Sequence, residues 1–387
     1  MKITRRWIAF LLVLAAPLLL FSSVQTSGKA AAKGQYLAYV GTYTTKTNSK
    51  GIYALHFDTA TGQLSAIGVA AETPDPSWVV VHANGKYAYA ANEAGKASTV
   101  SAFAVDAKSG KLTLLNQMPA LGEDPCYLSF DKTGKYLFVA NYSSGNVVAF
   151  PIGADGKLSA AAMNVRDEGK LGPNKERQDG PHAHWVQASS DNRFVFVADL
   201  GLDRILVYLF NPAKGTLTPN KLFFRPLAPG AGPRHAVFSP DGYFYVLSEM
   251  DSTVEAFAYA PEHGVFGYLG VTRTLPAGFT GRNDAAEIAV HPNGKFLYTS
   301  NRGDDAIAIF SIDPAKGTLT FVARVPTGGK EPRHFALDPT GQYLLAENQL
   351  SGNIVEFRID PATGKLTATG EVLQVPAPVC VAFLVKR

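Results

Sequence analysis

The chain has 387 residues, of which 46% are hydrophobic and 18% are charged, and its 36 glycines and 24 prolines indicate one large globular β domain with many turns. The net charge of +4 comes from residues 1–32, which contain four basic residues and no acidic one, whereas the rest of the chain has 32 basic and 32 acidic residues. Because a neutral domain has no general attraction for polyanions, we predict neither nucleic acid nor anionic lipid as a partner.

Residues 1–32 have the layout of a secretory signal peptide. Lys2, Arg5 and Arg6 precede the apolar run WIAFLLVLAAPLLLF, and small residues follow, including three consecutive alanines. The apolar run of about 15 residues is short for a membrane span. We therefore predict one domain at 33–387 that is periplasmic or secreted and free of the membrane after cleavage, with an uncleaved N-terminal anchor as the alternative.

The rest of the chain repeats one hairpin. In residues 232–249, GPRHAVFSPDGYFYVLSE, two runs rich in β-branched and aromatic residues flank the turn SPDG. Related hairpins begin at Asp75, Asp124, Gly180, Ala285 and Glu331. The first-strand pattern occurs once more as APVCVAFLV from Ala377, and its missing partner is YLAYVGTY from Tyr36. The two chain ends thus form a seventh hairpin.

The spacing of the hairpins predicts the fold. Successive copies lie 46 to 56 residues apart, and each is followed by a third strand, such as TVEAFAY, and by a fourth after a turn such as DPAKGTL. A repeat of this length with four strands indicates a propeller blade rather than a helical solenoid. We predict an all-β fold, a seven-bladed β-propeller of four-stranded antiparallel blades, closed by pairing of the N- and C-terminal strands.

The two cysteines, Cys126 and Cys380, stand near the starts of first strands in non-adjacent blades. A disulfide needs Cα atoms within about 7 Å, so both are interpreted as buried small apolar residues. The sequence has no CxxC, no HExxH and no clustered metal-ligand spacing. We predict no metal and no cofactor.

Polar residues at the strand ends predict a site. In a propeller the first strand of every blade lines the central channel, so residues that open first strands and close second strands meet at one mouth. These positions carry His182, His184, Arg234, Glu249, Glu287, Arg302 and Arg333. Guanidinium groups hold carboxylate or phosphate bidentately, and His or Glu can move a proton, so the mouth suits an anionic, oxygen-rich small molecule.

Structural roles are the alternative for several of these residues. Arg234 and Arg333 could pair with Glu249 and Glu347 of their own hairpins, as antiparallel geometry allows. Arg302 could anchor the turn that follows it.

Strand alternation separates the histidines. His182 and His184 are two residues apart, so both are expected on one strand face that looks into the channel. His235 and His334 each follow an arginine of the mouth, and the same alternation predicts that they point away from the channel.

One connection is unusually long. Residues 153–180 form a polar segment that leads into His182 from the charged mouth. Its end is predicted to form a rim or lid that carries Arg177 and the substrate-binding Gln178, with a solvated loop as the alternative.

The segments GPNKERQDGPHAHWV, GPRHAVFSPDG with the later SE, and AAEIAVHPNGKFLYTSNRG resemble the lactonase family of seven-bladed propellers, of the 6-phosphogluconolactonase and carboxymuconate cyclase type. The likeness covers nearly the whole chain after residue 32. It implies a site made by His182 or His184, Arg234, Glu249 and Arg302. The arginines would bind the acidic group and the oxyanion of the substrate, and Glu249 or a channel histidine would activate water.

The activity that this resemblance implies is hydrolytic opening of a sugar lactone by a carboxylic ester hydrolase. No GxSxG motif is present, which favours direct attack of water over an acyl-enzyme. A signal peptide departs from a cytoplasmic role and leaves open an unphosphorylated aldonolactone or another lactone as substrate. We predict a monomer that binds a small-molecule lactone. The alternatives are a non-catalytic binding propeller and a lyase that closes a lactone from an unsaturated diacid.

Overall fold

The computed structural model describes residues 34–385, apart from the side chains of residues 221–223, and these residues form 28 strands, numbered β1 to β28. The strands build seven four-stranded antiparallel sheets. The predicted all-β fold of four-stranded antiparallel blades is therefore confirmed. The predicted signal peptide and its boundary with the domain lie outside the described residues.

Six blades are continuous in the chain. Blade 1 contains β4 (Pro76–Val81), β5 (Tyr87–Asn92), β6 (Thr99–Val105) and β7 (Leu112–Pro119). Blade 2 contains β8 (Pro125–Phe130), β9 (Tyr136–Asn141), β10 (Asn146–Pro151) and β11 (Met163–Arg166). Blade 3 contains β12 (Ala183–Ala188), β13 (Phe194–Asp199), β14 (Arg204–Asn211) and β15 (Thr216–Pro226).

The remaining continuous blades follow the same order. Blade 4 contains β16 (Pro233–Phe238), β17 (Tyr243–Ser248), β18 (Thr253–Ala260) and β19 (Val265–Arg273). Blade 5 contains β20 (Asp284–Val290), β21 (Phe296–Arg302), β22 (Ala306–Ile312) and β23 (Leu319–Pro326). Blade 6 contains β24 (Pro332–Leu337), β25 (Tyr343–Asn348), β26 (Asn353–Ile359) and β27 (Leu366–Gln374). A short 3₁₀ turn, Gly95–Ala97, joins β5 to β6.

Blade 7 closes the ring with both ends of the chain. It contains β28 (Pro378–Leu384), β1 (Gln35–Thr42), β2 (Gly51–Asp58) and β3 (Gln63–Glu72). β28 pairs with β1 in antiparallel register, with Leu37 opposite Leu384. The first strands contact one another in an unbroken circle from β4 through β8, β12, β16, β20, β24 and β28 back to β4. The predicted closure is confirmed.

The core lies between the blades. Each of seven apolar clusters in the described residues joins two neighbouring blades, as where Phe138 of blade 2 meets Val195 of blade 3. The second strands are covered on both faces, which is why β13 is buried throughout its length. The fourth strands have one face in solvent, and β27 is mostly exposed. Sheets buried on both faces form a rigid frame around the channel.

A β-bulge interrupts the start of each first strand in blades 1 to 6. In blade 4 the register shifts between Pro233 and His235, and in blade 6 between Pro332 and His334. A bulge sets two residues opposite one and turns a side chain to a new direction. His235 therefore faces the channel together with Arg234, and its ring lies 5.3 Å from that of Trp78 in blade 1.

The bulges make the prediction for His235 and His334 wrong. His334 also faces the channel, with its ring 5.3 Å from Trp78, because alternation holds only along a regular ladder. His182 directly precedes β12, and its ring and that of His184 both pack against the Tyr142 ring, at 4.6 and 5.5 Å. Regular alternation was the faulty premise for His235 and His334.

Cys126 and Cys380 are free and buried, as predicted. Between residues 34 and 385, no helix has the length and apolar character needed to cross a membrane. In the same part of the chain, no group of three or more His, Cys, Asp or Glu side chains is arranged to hold a metal ion.

Candidate active site

A cavity of about 340 Å³ opens at the channel mouth where first strands begin and second strands end. We call it the mouth cavity. Six blades or their connections contribute to its wall. The lining residues are Glu93, Cys126, Tyr142, Arg177, His184, Glu249, Arg282, Asp284, Arg302 and Arg333.

Glu249 is the centre of an arginine cluster in the mouth cavity. Its Oε1 accepts a hydrogen bond from Arg177 at 2.5 Å, and its Oε2 lies 3.0 Å from Nε of Arg234 and 2.9 Å from Nη2 of Arg302. Burial raises the pKa of Glu249, but the charges of Arg302 and Arg234, with smaller help from Arg177, lower it well below its usual range. The carboxylate therefore stays ionised.

Arg234 lies behind the cavity wall, with only 2% of its surface exposed. Besides Glu249, its Nη1 donates to the backbone oxygen of Ala286 and to Nε2 of His235. Burial and the neighbouring cations Arg302 and Arg333 lower the pKa of Arg234 to about 10, so the guanidinium is still charged at neutral pH. The alternative in which Arg234 pairs with Glu249 of its own hairpin is confirmed.

Arg333 has a different environment from the other arginines. Its guanidinium lies 5.3 Å from the centre of the Tyr43 ring, and no described carboxylate is within ion-pairing distance. Glu347, the partner considered for it, instead binds Nδ1 of His334 at 2.6 Å, so that pairing is wrong. Arg333 therefore presents to the mouth cavity a cation that has no direct ion-pair partner among the described residues.

His184 is a neutral imidazole in the cavity wall. Its Nδ1 is buried and has no hydrogen-bond partner among the described residues. Burial, followed by the charge of Arg234, lowers the pKa of His184 well below its usual value. At neutral pH the ring is therefore uncharged, with a hydrogen on one nitrogen and a lone pair on the other.

His182 is held by polar contacts at both nitrogens of its ring. Its Nδ1 lies 3.0 Å from the backbone oxygen of Tyr142 and its Nε2 lies 3.0 Å from Asp179, while the ring stacks on that of Tyr142 at 4.6 Å. Both nitrogens are occupied and the residue does not line the mouth cavity. Of the two candidate histidines, the structure brings His184 to the wall.

Gln178 also lies away from the cavity wall. It is 1% exposed, and its Nε2 donates to the backbone oxygen of Leu200 and to Asp203 while its Oε1 accepts from the backbone of Asn174. These bonds fix the long segment against blade 3. The predicted direct contact of Gln178 with substrate does not fit this position, because both the oxygen and the nitrogen of its side-chain amide are bonded to other groups of the protein.

Four of the eight predicted site residues, His184, Glu249, Arg302 and Arg333, line the mouth cavity. Their contact with a substrate stays a prediction. The other four, His182, Gln178, Arg234 and Glu287, lie behind the wall.

The charged wall also contains residues outside the predicted set of site residues. Arg177 was expected on the rim, and it reaches Glu249 with its side chain 35% exposed. Asp284 accepts hydrogen bonds from Arg282 and lies 3.7 Å from Arg177. Glu93 accepts from the hydroxyl of Tyr43 at 2.8 Å. Asp284 is the first residue of β20 and Glu93 directly follows β5, so both occupy the strand-end positions from which the mouth was predicted.

Cations outnumber carboxylates at the mouth. Four lining arginines and Arg234 behind them face the three carboxylates of Glu93, Glu249 and Asp284. An excess of two positive charges in a partly enclosed space attracts anions and stabilises negative charge that develops during a reaction. This is the electrostatic character that the sequence predicts.

A larger surface cavity of about 670 Å³ lies between blades 2 and 3. Its wall comes mainly from β14, β15 and residues 165–169, which include the end of β11. Leu206 and Phe224 are among the lining residues. No first-strand residue contributes to it, and no carboxylate there is held by several cations. The mouth cavity is therefore the better candidate despite its smaller volume.

Two buried carboxyl groups anchor the long segment beside the mouth. Asp167 accepts a hydrogen bond from the hydroxyl of Tyr208, and Asp199 accepts from the backbone N–H groups of His182 and Leu202. Burial, followed by the charge of Asp199, raises the pKa of Asp167 well above its usual value of 3.8. The two acids share a proton rather than ionise together.

The raised pKa of Asp167 predicts a loss of stability as pH rises. A carboxyl whose folded-state pKa is raised contributes its full stability below the unfolded value of 3.8, and this contribution is lost as pH rises through the folded-state pKa. Asp167→Asn keeps a neutral group, so its free energy of unfolding in urea should exceed that of the wild type at pH 8 and match it near pH 4. Parallel pH profiles for the two proteins would contradict the shared proton.

A seven-bladed propeller with an arginine-rich cavity around a buried carboxylate and a neutral histidine has the architecture of an enzyme that acts on an acidic or oxygen-rich small molecule. Residues 37–383 match the family described as lactonase, 7-bladed beta-propeller, and the chain belongs to this family. The predicted family is confirmed, and with it the predicted enzyme class, a hydrolase of lactones.

Relatives with established names cover most of the chain. A 6-phosphogluconolactonase of Bacillus subtilis is 39% identical over 351 residues, which are 90% of this chain and 99% of that protein. A 6-phosphogluconolactonase of Formosa agariphila is 35% identical over 307 residues, 76% of this chain and 84% of that protein. The solved structure of a periplasmic gluconolactonase from Pseudomonas aeruginosa is 34% identical, with a TM-score of 0.85 over 90% of this chain and 99% of that one.

Proposed function

We propose that the protein opens a sugar lactone by direct attack of water in the mouth cavity. The observation that carries the proposal is the neutral His184 beside a carboxylate, Glu249, that is held by three arginines. This arrangement supplies a proton acceptor and fixed positive charge in one partly enclosed space. The named relatives support the same reaction class.

The reaction needs three contributions from the protein. A base takes a proton from water as its oxygen bonds to the lactone carbonyl carbon, and cationic groups stabilise the carbonyl oxygen as it becomes an oxyanion. When the tetrahedral intermediate collapses, the ring carbon–oxygen bond breaks, and the proton held by the base passes to the leaving alkoxide. The product is an open-chain hydroxy acid, whose carboxyl group then releases its proton, the second hydrogen of the attacking water, to solvent.

His184 fits the role of base better than Glu249 does. Both oxygens of Glu249 are engaged by Arg177, Arg234 and Arg302, so neither is free to take a proton from water. His184 is uncharged at neutral pH, and its Nδ1 has no hydrogen-bond partner among the described residues. The negative charge of Glu249 favours the imidazolium that forms, so Glu249 supports the proton transfer without performing it.

The cavity arginines then divide between two roles. Arg302 lines the cavity and keeps its Nε bonded to the backbone oxygen of Asp284 at 3.1 Å, which fixes its direction. We assign the oxyanion to Arg302, with Arg177 beside it. Arg333, which has no carboxylate partner, is assigned to an acidic or hydroxyl substituent of the substrate.

The substrate class follows from charge and from the N-terminal sequence. The cationic excess favours a polyhydroxylated lactone with or without an acidic substituent. The signal-peptide pattern of residues 1–32 and the likeness to a periplasmic gluconolactonase favour an exported enzyme and an unphosphorylated aldonolactone. Export to the periplasm or beyond is part of this proposal.

A substrate panel tests the proposal. Residues 33–387 are incubated with δ-gluconolactone, its 6-phosphate and a cis,cis-muconate, and acid release or uptake is followed in a pH-stat. Accelerated opening of a lactone is the expected result. Cyclisation of the muconate alone would indicate a lyase, and no acceleration of any reaction would indicate a binding protein; either outcome would overturn the proposal.

The assignment of the base has its own test. His184→Asn is expected to lower kcat by about 10²- to 10⁴-fold, the contribution usual for a general base. The matched control is His82→Asn, which changes a histidine bonded to the backbone oxygen of Gly134 at the turn end of blade 1 and should leave kcat unchanged. Full activity of His184→Asn would remove the assignment.

A further inference from the structure

Behind the mouth cavity, a line of buried polar side chains continues into the central channel. From the cavity inward it runs through Glu249, Arg234, His235, Glu287, His334 and Glu347, which come from blades 4, 5 and 6. Of these residues only Glu249 lines the cavity, and the last five lie behind its wall. Buried charges are costly unless they are paired, so a continuous line of them calls for an explanation.

The bonds of His235 define its tautomer. Nη1 of Arg234 lies 3.2 Å from Nε2 of His235, and an arginine can only donate, so Nε2 is the unprotonated acceptor. Nδ1 therefore carries the hydrogen and donates it to Oε2 of Glu287 at 3.0 Å. A carboxylate that accepts a hydrogen bond from one ring nitrogen fixes the tautomer, so that the other nitrogen can accept a hydrogen bond. Metal-bound histidines are oriented in the same way.

The imidazole of His235 has little room to reorient. Its ring lies edge-on to Trp78, Tyr127 and His184, at centroid distances of 5.3, 5.1 and 5.1 Å. The residue is 1% exposed. With the ring held by packing, the direction of its two nitrogens is set, and the remaining freedom is which nitrogen carries the hydrogen.

Glu287 is itself fixed on blade 5. Its Oε1 accepts from the backbone N–H of Ile288 at 2.9 Å, and its own N–H donates to the hydroxyl of Ser300 at 3.0 Å. Its Oε2 also lies 3.5 Å from Nε2 of His334, which binds Glu347 on the other side. Glu287 thus reaches His235 across the interface between blades 4 and 5 from a rigid support.

We propose that Glu287 is a positioning residue, which holds His235 in the Nδ1–H tautomer so that Nε2 accepts from Arg234 and keeps the Arg234 guanidinium against Glu249 at the back of the mouth cavity. If His235 carried its hydrogen on Nε2, that hydrogen would face a guanidinium hydrogen and Arg234 would have to withdraw. Glu249 would then lose one of its three cations. This inference rests on the proposed function for its kinetic effect, while its structural part is independent of the reaction.

The kinetic test compares two substitutions of buried glutamates. Glu287→Gln is expected to lower kcat for lactone opening by about 10- to 100-fold, the effect usual when a group that orients an active-site ligand is removed. KM should be unchanged because the cavity wall is intact. The control Glu356→Gln changes a fully buried carboxyl on β26, outside the mouth cavity, and should leave both constants unchanged.

Substitutions of His235 separate positioning from simple packing. His235→Gln can place an amide oxygen where Nε2 accepts from Arg234 and should retain much of the wild-type kcat. His235→Phe keeps the ring but offers no acceptor, and its kcat should fall as far as that of Glu287→Gln. Equal kcat values for His235→Phe and the wild type would overturn the proposal.

Nitrogen-15 NMR of the histidine side chains provides a readout that does not need activity. The wild-type protein should show one buried histidine with Nδ1 protonated and Nε2 accepting, and this signal should change tautomer or titrate in Glu287→Gln. An Nε2-protonated His235 in the wild type, or a KM increase with unchanged kcat in Glu287→Gln, would overturn the proposal. Absence of lactonase activity with the expected NMR signal would instead defeat the proposed function alone.

Discussion

Glu249→Gln is expected to lower kcat/KM for lactone opening by about 10²- to 10⁴-fold, the range for loss of a group that performs or supports proton transfer. The amide keeps the shape of the carboxylate but not its charge. Arg177, Arg234 and Arg302 then lack their shared anion and repel one another. The imidazolium of His184 loses the negative charge that favours it.

The same substitution should also weaken the fold. Removal of one partner from a buried ion pair leaves an uncompensated charge, which costs about 3 to 5 kcal/mol in the free energy of unfolding. Because the folded-state pKa of Glu249 is lowered, the wild type has this stability above the usual pKa of 4.5 and loses it as pH falls further. Urea unfolding at pH 7 and at pH 3 should therefore separate the variant from the wild type mainly at pH 7.

Glu255→Gln is the matched control for Glu249. Glu255 is buried in β18 of the same blade, where it accepts from the backbone N–H of Ala228, and it lies outside the mouth cavity. Its substitution should leave kcat/KM unchanged. A Glu249→Gln enzyme with the wild-type rate would show that the carboxylate is not part of the site.

Removal of β28 is expected to prevent folding of the whole domain. A chain that ends at residue 377 lacks Val379, Cys380, Val381 and Leu384, which are all buried. At about 1.5 to 3 kcal/mol for each buried apolar side chain, the loss is about 6 to 12 kcal/mol, which equals most of the stability of a typical domain. Circular dichroism and thermal unfolding should show no cooperative transition.

Two companion samples make the truncation decisive. A chain that lacks only residues 386–387 should unfold as the wild type does. A synthetic peptide of residues 376–387 added to the truncated chain should restore cooperative unfolding, because β28 pairs only with β1, which lies at the other end of the chain. A truncated chain with the wild-type melting temperature would contradict ring closure by the chain ends.

The fold could be predicted because its unit is repeated. Each hairpin carries its own turn signal and hydrophobic pattern, and the unpaired strand patterns at Tyr36 and Ala377 could only satisfy each other. The same logic located the mouth, since antiparallel strands bring the start of the first strand and the end of the second together. His184, Glu249, Arg302 and Arg333 reach the cavity wall for this reason.

Backbone irregularity accounts for most of what the sequence did not predict. The bulges at the first strands turn His235 and His334 into the channel, and a two-residue period contains no signal for them. Contacts between side chains of different blades also have no signal in the sequence pattern. Glu287 meets His235 of a neighbouring blade, and Cys126, interpreted as a buried apolar residue, also borders the mouth cavity.

A crystal structure of residues 33–387 with the reaction product gluconate bound would test most directly whether the mouth cavity is where the lactone opens. The predicted result places the gluconate carboxylate within hydrogen-bonding distance of Arg302 or Arg333, with His184 beside it. Gluconate bound in the cavity between blades 2 and 3, with the mouth cavity holding only water, would contradict the account.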